Sequence, residues 1–266
     1  MSEGYQPFQP LLTEPGLESF SLELKQVRAK GLLSNVVHSF LQVSTQKATA
    51  YPIVPDGTQA VFISPQAAQV GGALSCARDL QLPQPGDYFG IRFYPGALRH
   101  FFDLNLADIK DQFVDASFFP CPRFLRLPQE IFQQRRFRQR ARVCEQWLLG
   151  HFTPRRQDAF DRALEQIYAS FGSIEINKLA ENLGLSSRHI NRLFKQYTGL
   201  STKAFTQTVR IQGVCKQLFD VPQNTLKAAL EFGYFDQAHL LKDYKQRLRL
   251  NPASLFERFM SDFYKR

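Results

Sequence analysis

Residues 179–205 read LAENLGLSSRHINRLFKQYTGLSTKAF, and residues 226–256 read LKAALEFGYFDQAHLLKDYKQRLRLNPASLF. Each stretch opens with a short run of helical apolar spacing, breaks at a glycine and resumes. In the first, Ile176–Leu183 and Ser187–Tyr197 flank Gly184-Leu185-Ser186, and the Ser186 hydroxyl is placed to cap the second helix. In the second, Leu226–Phe232 and a helix over Asp236–Arg247 flank Gly233-Tyr234-Phe235, with Asp236 as the cap. Two short helices joined by a tight glycine turn are a helix-turn-helix. The two units also match internally. His189-Ile190 corresponds to His239-Leu240, and five residues after each histidine stand Phe194-Lys195 and Tyr244-Lys245.

A helix over Thr202–Phe219 joins the units, and Pro222-Gln223-Asn224 then interrupts the chain. About 18 residues at 1.5 Å give roughly 27 Å, near the ~34 Å between successive major-groove faces of a duplex. Upstream, Phe160, Ala163, Leu164, Ile167, Tyr168 and Phe171 recur on one helical face, ended by Gly172-Ser173. Thr153-Pro154-Arg155-Arg156 reads as a linker. Before it, Phe137, Ala141, Cys144 and Leu148, extended by Trp147, predict a helix over Ile131–Leu149. Arg135, Arg136, Arg138, Arg140 and Arg142 cover its other faces. This helix either packs on the N-terminal region with a solvated basic face, or serves as a dimer helix or a second DNA contact.

Residues 1–120 read mostly as strand. Phe20–Leu24 alternates with period two, and Tyr88–Tyr94 is stopped by Pro95-Gly96. Tyr51–Val54 and Ala60–Ile63 flank Pro55-Asp56-Gly57, which predicts a hairpin because glycine accepts positive φ. Ala97–Phe102 and Leu106–Phe113 are expected to be short helices. Several short strands separated by turns suggest a barrel or a sandwich. The expected fold is two-domain α+β. Residues 1–152 form a β-barrel or sandwich-like domain with helices, and residues 153–266 an all-α domain with two helix-turn-helix units.

The paired units resemble those of the arabinose-regulator (AraC/XylS) family of transcription factors over about residues 155–259. The second carries that family's signature order: a Gly-aromatic turn, Asp236-Gln237, His239, a basic residue, Tyr244-Lys245, then Pro252. The resemblance departs at Ala228-Ala229, where Ile-Ala is usual, at Lys242 for arginine, at Arg249 for glycine and, after the first unit's second helix, at Thr202 for proline. The N-terminal phrases Pro55-Asp56-Gly57 and Gly90–Ala97 are similar to a poorly characterised sensor domain of some family members. That likeness implies a small-molecule or dimerisation role.

A helix entering the major groove needs polar side chains outward and apolar ones behind, because base edges there carry a distinct donor and acceptor code. In Ser187–Tyr197, Ile190, Leu193 and Phe194 can face inward while Ser187, Arg188, Asn191, Arg192 and Lys195 face out. Arginine suits guanine and asparagine suits adenine. By resemblance, Arg188, Asn191 and Arg192 stand at base-contacting positions, as do Gln237 and Lys242 in the second unit. Leu241 either touches a thymine methyl or packs. Lys245 and Arg247 read as phosphate ligands, which position without specifying. His189 and His239 read as packing or capping residues.

Charge supports this division. Residues 1–130 hold 10 Lys and Arg against 12 Asp and Glu, and residues 131–266 hold 23 against 12. A basic half beside a near-neutral half suggests that one half meets a polyanion. The four cysteines form no CxxC pair and the five histidines no HxH or HExxH, so no metal site or other cofactor is expected. Phe119–Arg123 is similar to the alkyl-accepting cysteine motif of DNA-repair regulators, but Pro122 stands where that motif needs a histidine beside Cys121. An enzyme is therefore not expected. No secretion signal or membrane span is legible, so the expected location is the cytoplasm.

The function read from these features is sequence-specific transcription regulation, with double-stranded DNA as the partner. Control is assigned to a small-molecule effector held in the N-terminal domain. Arg92 and Tyr94 lie on the strand face opposite Ile91 and Phe93 and are the candidate ligand contacts, the other reading of Arg92 being that it faces solvent or pairs with a nearby carboxylate. The alternative is a ligand-independent regulator controlled by a protein partner or by oligomerisation. RNA polymerase and a second copy of the chain, as a homodimer, are further candidate partners.

Overall fold

The structure, a computed structural model, describes residues 5–118, 121–220 and 225–249. Pro222-Gln223-Asn224, Phe119-Pro120 and Pro252 lie outside the described residues. In the N-terminal half, helix α1 (Glu14–Glu18) precedes strands β1 (Leu22–Arg28), β2 (Val37–Thr45), β3 (Thr49–Ile53), β4 (Gln59–Ile63), β5 (Ala68–Gly71), β6 (Arg78–Leu82), β7 (Gly86–Phe93) and β8 (Phe113–Asp115). Helices α2 (Leu127–Phe132) and α3 (Phe137–His151) follow. The C-terminal half is helical: α4 (Ala159–Ala169), α5 (Ile176–Leu183), α6 (Ser187–Thr198), α7 (Thr202–Asp220), α8 (Thr225–Glu231) and α9 (Gln237–Leu248).

Six strands form an antiparallel sheet in the order β1-β2-β7-β4-β5-β8, and β3 pairs with β6 in a separate two-stranded sheet. Alternation along the strands sends residues to opposite faces. Phe40, Phe89, Ile91 and Phe93 pack on Ile131, Ala141, Cys144 and Leu148 of α2 and α3. Leu22, Leu24, Leu41 and Val43 pack the other way, with Tyr51, Leu80 and Leu82 of the small sheet. That second cluster continues into Ile211, Val214 and Leu218 of α7 and Leu240, Tyr244 and Leu248 of α9. One apolar core therefore joins the sheet to the second helical unit.

Polar ties cross between the halves as well. Arg99 donates to Asp158 at 2.8 Å and Asp161 at 2.5 Å, with its guanidinium over the Phe160 and Tyr197 rings. Burial opposes ionisation of Asp158, yet the Asp161 N–H and Arg99 hold its carboxyl below the ordinary value. Gln212 of α7 donates to the Pro55 carbonyl at 2.8 Å and accepts the Phe8 N–H at 2.7 Å. Tyr5 stacks on Tyr168 at 4.5 Å.

Four local expectations need correction. The hairpin at Asp56-Gly57 is absent, because β3 and β4 belong to different sheets. Gly57 does take positive φ, but the Asp56 carboxylate closes the turn locally by accepting the Thr58 N–H and hydroxyl. The helix over Ile131–Leu149 is two helices broken at Gln133–Arg136, where the Gln134 carbonyl accepts from the buried Arg140 side chain. Leu106–Phe113 is a 3-10 turn over Leu106–Ile109 followed by β8. Phe171 lies past the end of α4 with φ +49 and is exposed.

Candidate DNA interface

The first unit is built from the apolar side outward. Phe194 meets Phe160 at 4.9 Å and Phe205 at 5.1 Å, and Ile190 is buried beside them. Gly184 ends α5 at φ +65, and the Ser186 hydroxyl accepts the His189 N–H, so α6 starts where the cap dictates. This leaves Arg188, Arg192 and Lys195 exposed. With His189, Asn191 and Gln196 they line a surface cleft of about 820 Å³, closed on one side by Asn105 and Ala107.

Two of the expected contacts are partly engaged inside the domain. The Ser187 hydroxyl donates to the Asn177 amide oxygen at 3.1 Å. The Asn191 amide oxygen accepts the Thr202 N–H at 3.1 Å, which leaves its second lone pair and its NH2 group to meet a base. His189 sits within 3.5 Å of Arg192 and supplies a capped backbone N–H, in line with its expected local role.

The second unit repeats this construction. Gly233 has φ +71, the Asp236 carboxylate accepts the His239 N–H at 2.7 Å, and Leu240, Tyr244 and Leu248 are buried. Gln237, Leu241, Lys242 and Lys245 are exposed along α9, and Phe235 in the turn is 87% exposed. Tyr234 donates to Asp243 at 2.8 Å; burial, reinforced by Asp243, raises its hydroxyl pKa. Arg247 is not a phosphate ligand. It is buried, donating to Asp243 at 2.9 Å, Gln207 at 2.5 Å and the Ser75 carbonyl at 3.3 Å. Sequence reading missed Lys203 and Arg210, which line a cleft of about 510 Å³ between the units together with His239. Their only sequence signal was a basic residue on the connector helix.

The candidate ligand contacts separate. Arg92 is buried and donates to Asp56 at 2.6 Å, with its other guanidinium nitrogen 3.5 Å from His38. It borders a cavity of about 50 Å³ lined by Leu41, Tyr51, Asp56, Phe62 and Phe113. Tyr94 does not line that cavity. It packs with the α2–α3 cluster and meets His38 edge-on at 5.5 Å. Burial, with Arg92 and Arg28 adding to it, drives the His38 imidazole down to about 2. Among the described residues no three metal-capable side chains converge, and no helix is long and apolar enough to cross a membrane.

Comparison with known proteins places these elements. Residues 179–258 match the Helix-turn-helix domain family, and residues 25–115 match a domain of unknown function, DUF6597. An uncharacterized HTH-type transcriptional regulator of Haemophilus influenzae is 36% identical over 78 residues, which is 29% of this chain and 26% of that protein. The HTH-type transcriptional regulator MtrA of Neisseria gonorrhoeae is 30% identical over 78 residues, with the same coverage. The match thus spans about a quarter of the length of these relatives. Among solved structures, a probable AraC family transcriptional regulator from Rhodopseudomonas palustris is 31% identical, covering 38% of this chain and 97% of that one with a TM-score of 0.34. An apo variant of ToxT from Vibrio cholerae is 11% identical over 90% of this chain and 98% of that one, with a TM-score of 0.45.

Proposed function

We propose that this chain, whose C-terminal region is a helix-turn-helix domain of the AraC/XylS type, is a sequence-specific DNA-binding transcription regulator of the cytoplasm. The observation that carries this reading is the equivalence of α6 and α9. Each has a capped start, a buried apolar back and an exposed polar face, with Arg188, Arg192 and Lys195 on one and Gln237, Lys242 and Lys245 on the other. Arginine and glutamine there read base edges, and the lysines neutralise phosphates. The test is titration of the full chain with duplex DNA from upstream of its own coding sequence at two salt concentrations. Affinity falls steeply as salt rises, because bound counterions are released. Absence of binding at low salt ends the proposal.

Control is the second question. A small-molecule effector is supported by the cavity beside Arg92, but its volume of about 50 Å³ is far below the ~300 Å³ that drug-sized ligands occupy. An anion would also have to displace Asp56 from Arg92. These features favour the ligand-independent alternative, in which the sheet half acts through its contacts with the helical half. RNA polymerase and a second copy of the chain belong to the same proposal as partners. Arg135, Arg136, Arg138 and Arg142 of the α2–α3 region are exposed. Their mutual repulsion favours a DNA-backbone contact over a self-pairing helix.

A further inference from the structure

Two loops of the sheet half reach the ends of the two helices α6 and α9. The first, residues 72–77, holds the end of α9. Ala77 donates its N–H to the Arg247 carbonyl at 2.6 Å, the Arg247 guanidinium donates to the Ser75 carbonyl, and Arg249 donates to the Cys76 thiol at 3.4 Å. Ala73 of the same loop is fully buried against the core of the first unit. The second loop, residues 105–111, holds the end of α6. Its Leu106 carbonyl lies against Gly199, where a Cβ would stand 2.8 Å away and where φ is +80. Only glycine fits there. Asn105 and Ala107 of this loop border the polar face of α6.

The loops are joined to each other. The Asp111 carboxylate accepts the Ser75 N–H and the Ser75 hydroxyl, each at 2.6 Å, and Lys110 is 3.6 Å away. Asp111 donates its own N–H to the Ala73 carbonyl at 3.3 Å, and Gly72 donates to the Gln112 carbonyl at 3.0 Å. To do this Asp111 takes φ +58, a left-handed conformation that an L residue adopts at some strain.

Resting on the DNA-binding reading above, we infer that Asp111 is a positioning residue for half-site spacing. It couples the grip on α6 to the grip on α9, so the sheet half fixes the separation and relative tilt of the two recognition helices. The connector α7 ties them end to end and Phe171 meets the Phe232 ring edge-on at 5.6 Å, and the loop pair adds a second hold on the far ends of α6 and α9. Two tethered binding modules gain from simultaneous engagement only when their geometry matches the two sites, and the gain disappears when it does not. A rigid coupling therefore makes the protein intolerant of altered spacing, and a loosened one makes it permissive.

The test uses the full chain. Duplexes bearing the two half-sites it selects from a randomised pool are respaced in single base-pair steps. Asp111→Gly removes the carboxylate without adding backbone strain, and Ser75→Ala removes only the hydroxyl donor. Wild type loses about 100-fold in affinity away from its preferred spacing, whereas both variants lose about tenfold or less. Binding to a duplex with one half-site stays unchanged, a readout that a merely structural role would not separate. A wild-type spacing profile in both variants overturns the inference. So does an equal gain in affinity at every spacing, which would make the coupling a block on DNA. If the wild type selects no duplex from the pool, it is the DNA-binding reading itself that fails.

Discussion

The Asn191 amide oxygen accepts the backbone N–H of Thr202 at 3.1 Å, so α6 of the first unit caps the helix that leads to the second. Thr202 stands where the family usually has proline, which carries no N–H to offer. Asn191→Ala should therefore lower stability by about 1 kcal/mol through the lost cap. Asn191→Asp keeps the acceptor and should retain that stability while losing the amide donor. Chemical denaturation of the two variants checks the difference. Equal loss in both would remove the capping role.

Arg188 has no ion pair among the described residues and is exposed at the start of α6, while Lys245 is exposed near the end of α9. Arg188→Ala should cost about 1–3 kcal/mol on the preferred duplex and little on random sequence. Lys245→Ala should weaken both alike and flatten the salt dependence by about one unit of slope. Competition between specific and random duplexes distinguishes them. Identical behaviour of the two variants would show the roles to be misassigned.

The Arg92–Asp56 pair is buried on both sides, and Asp56 also accepts from Gln9 and Thr58. Removing one charge leaves the other stranded, so Asp56→Ala should destabilise by about 3–5 kcal/mol. A double variant, Asp56→Ala with Arg92→Met, should recover part of that loss. Urea midpoints measure both. No recovery in the double variant would mean that Asp56 matters through its turn rather than through its charge.

His38 supplies a pH dependence with a definite sign. Its imidazole pKa is about 2 in the folded chain and about 6.5 when unfolded, so below pH 6.5 the unfolded chain binds the extra proton. Stability is complete above pH 6.5 and falls with acidity, by up to about 1.4 kcal/mol per pH unit. His38→Asn should flatten the urea midpoint between pH 7 and pH 5. A slope unchanged by the substitution would place the acid sensitivity elsewhere.

The helical half was legible almost residue by residue, because caps such as Ser186 and Asp236 and the spacing of Ile190, Phe194, Leu240 and Tyr244 are local signals. What the sequence hid was set by distant partners. Asp56-Gly57 has the chemistry of a hairpin turn, but β3 finds its neighbour in β6, some 25 residues on. Lys245 and Arg247 look alike at a helix end, but Asp243, Gln207 and the Ser75 carbonyl together draw Arg247 inward. Asn191 faces outward on a helical wheel, yet the turn into α7 brings Thr202 to it. Arg92 reads from the sequence either as a ligand contact or as the partner of a carboxylate, and which carboxylate was not legible because Asp56 lies 36 residues away.

The apolar cluster that runs from β1 and β2 through α7 into α9 bears on descent as much as on stability. A regulator whose halves meet only through a linker can trade its sensor for another in a single recombination event. Here Ile211, Val214 and Leu218 share one buried cluster with Leu22, Leu24 and Leu80, so a graft at the linker would present each half with a neighbour it was never shaped against. Close packing across this seam means that a substitution on one side limits the side-chain volumes accepted on the other.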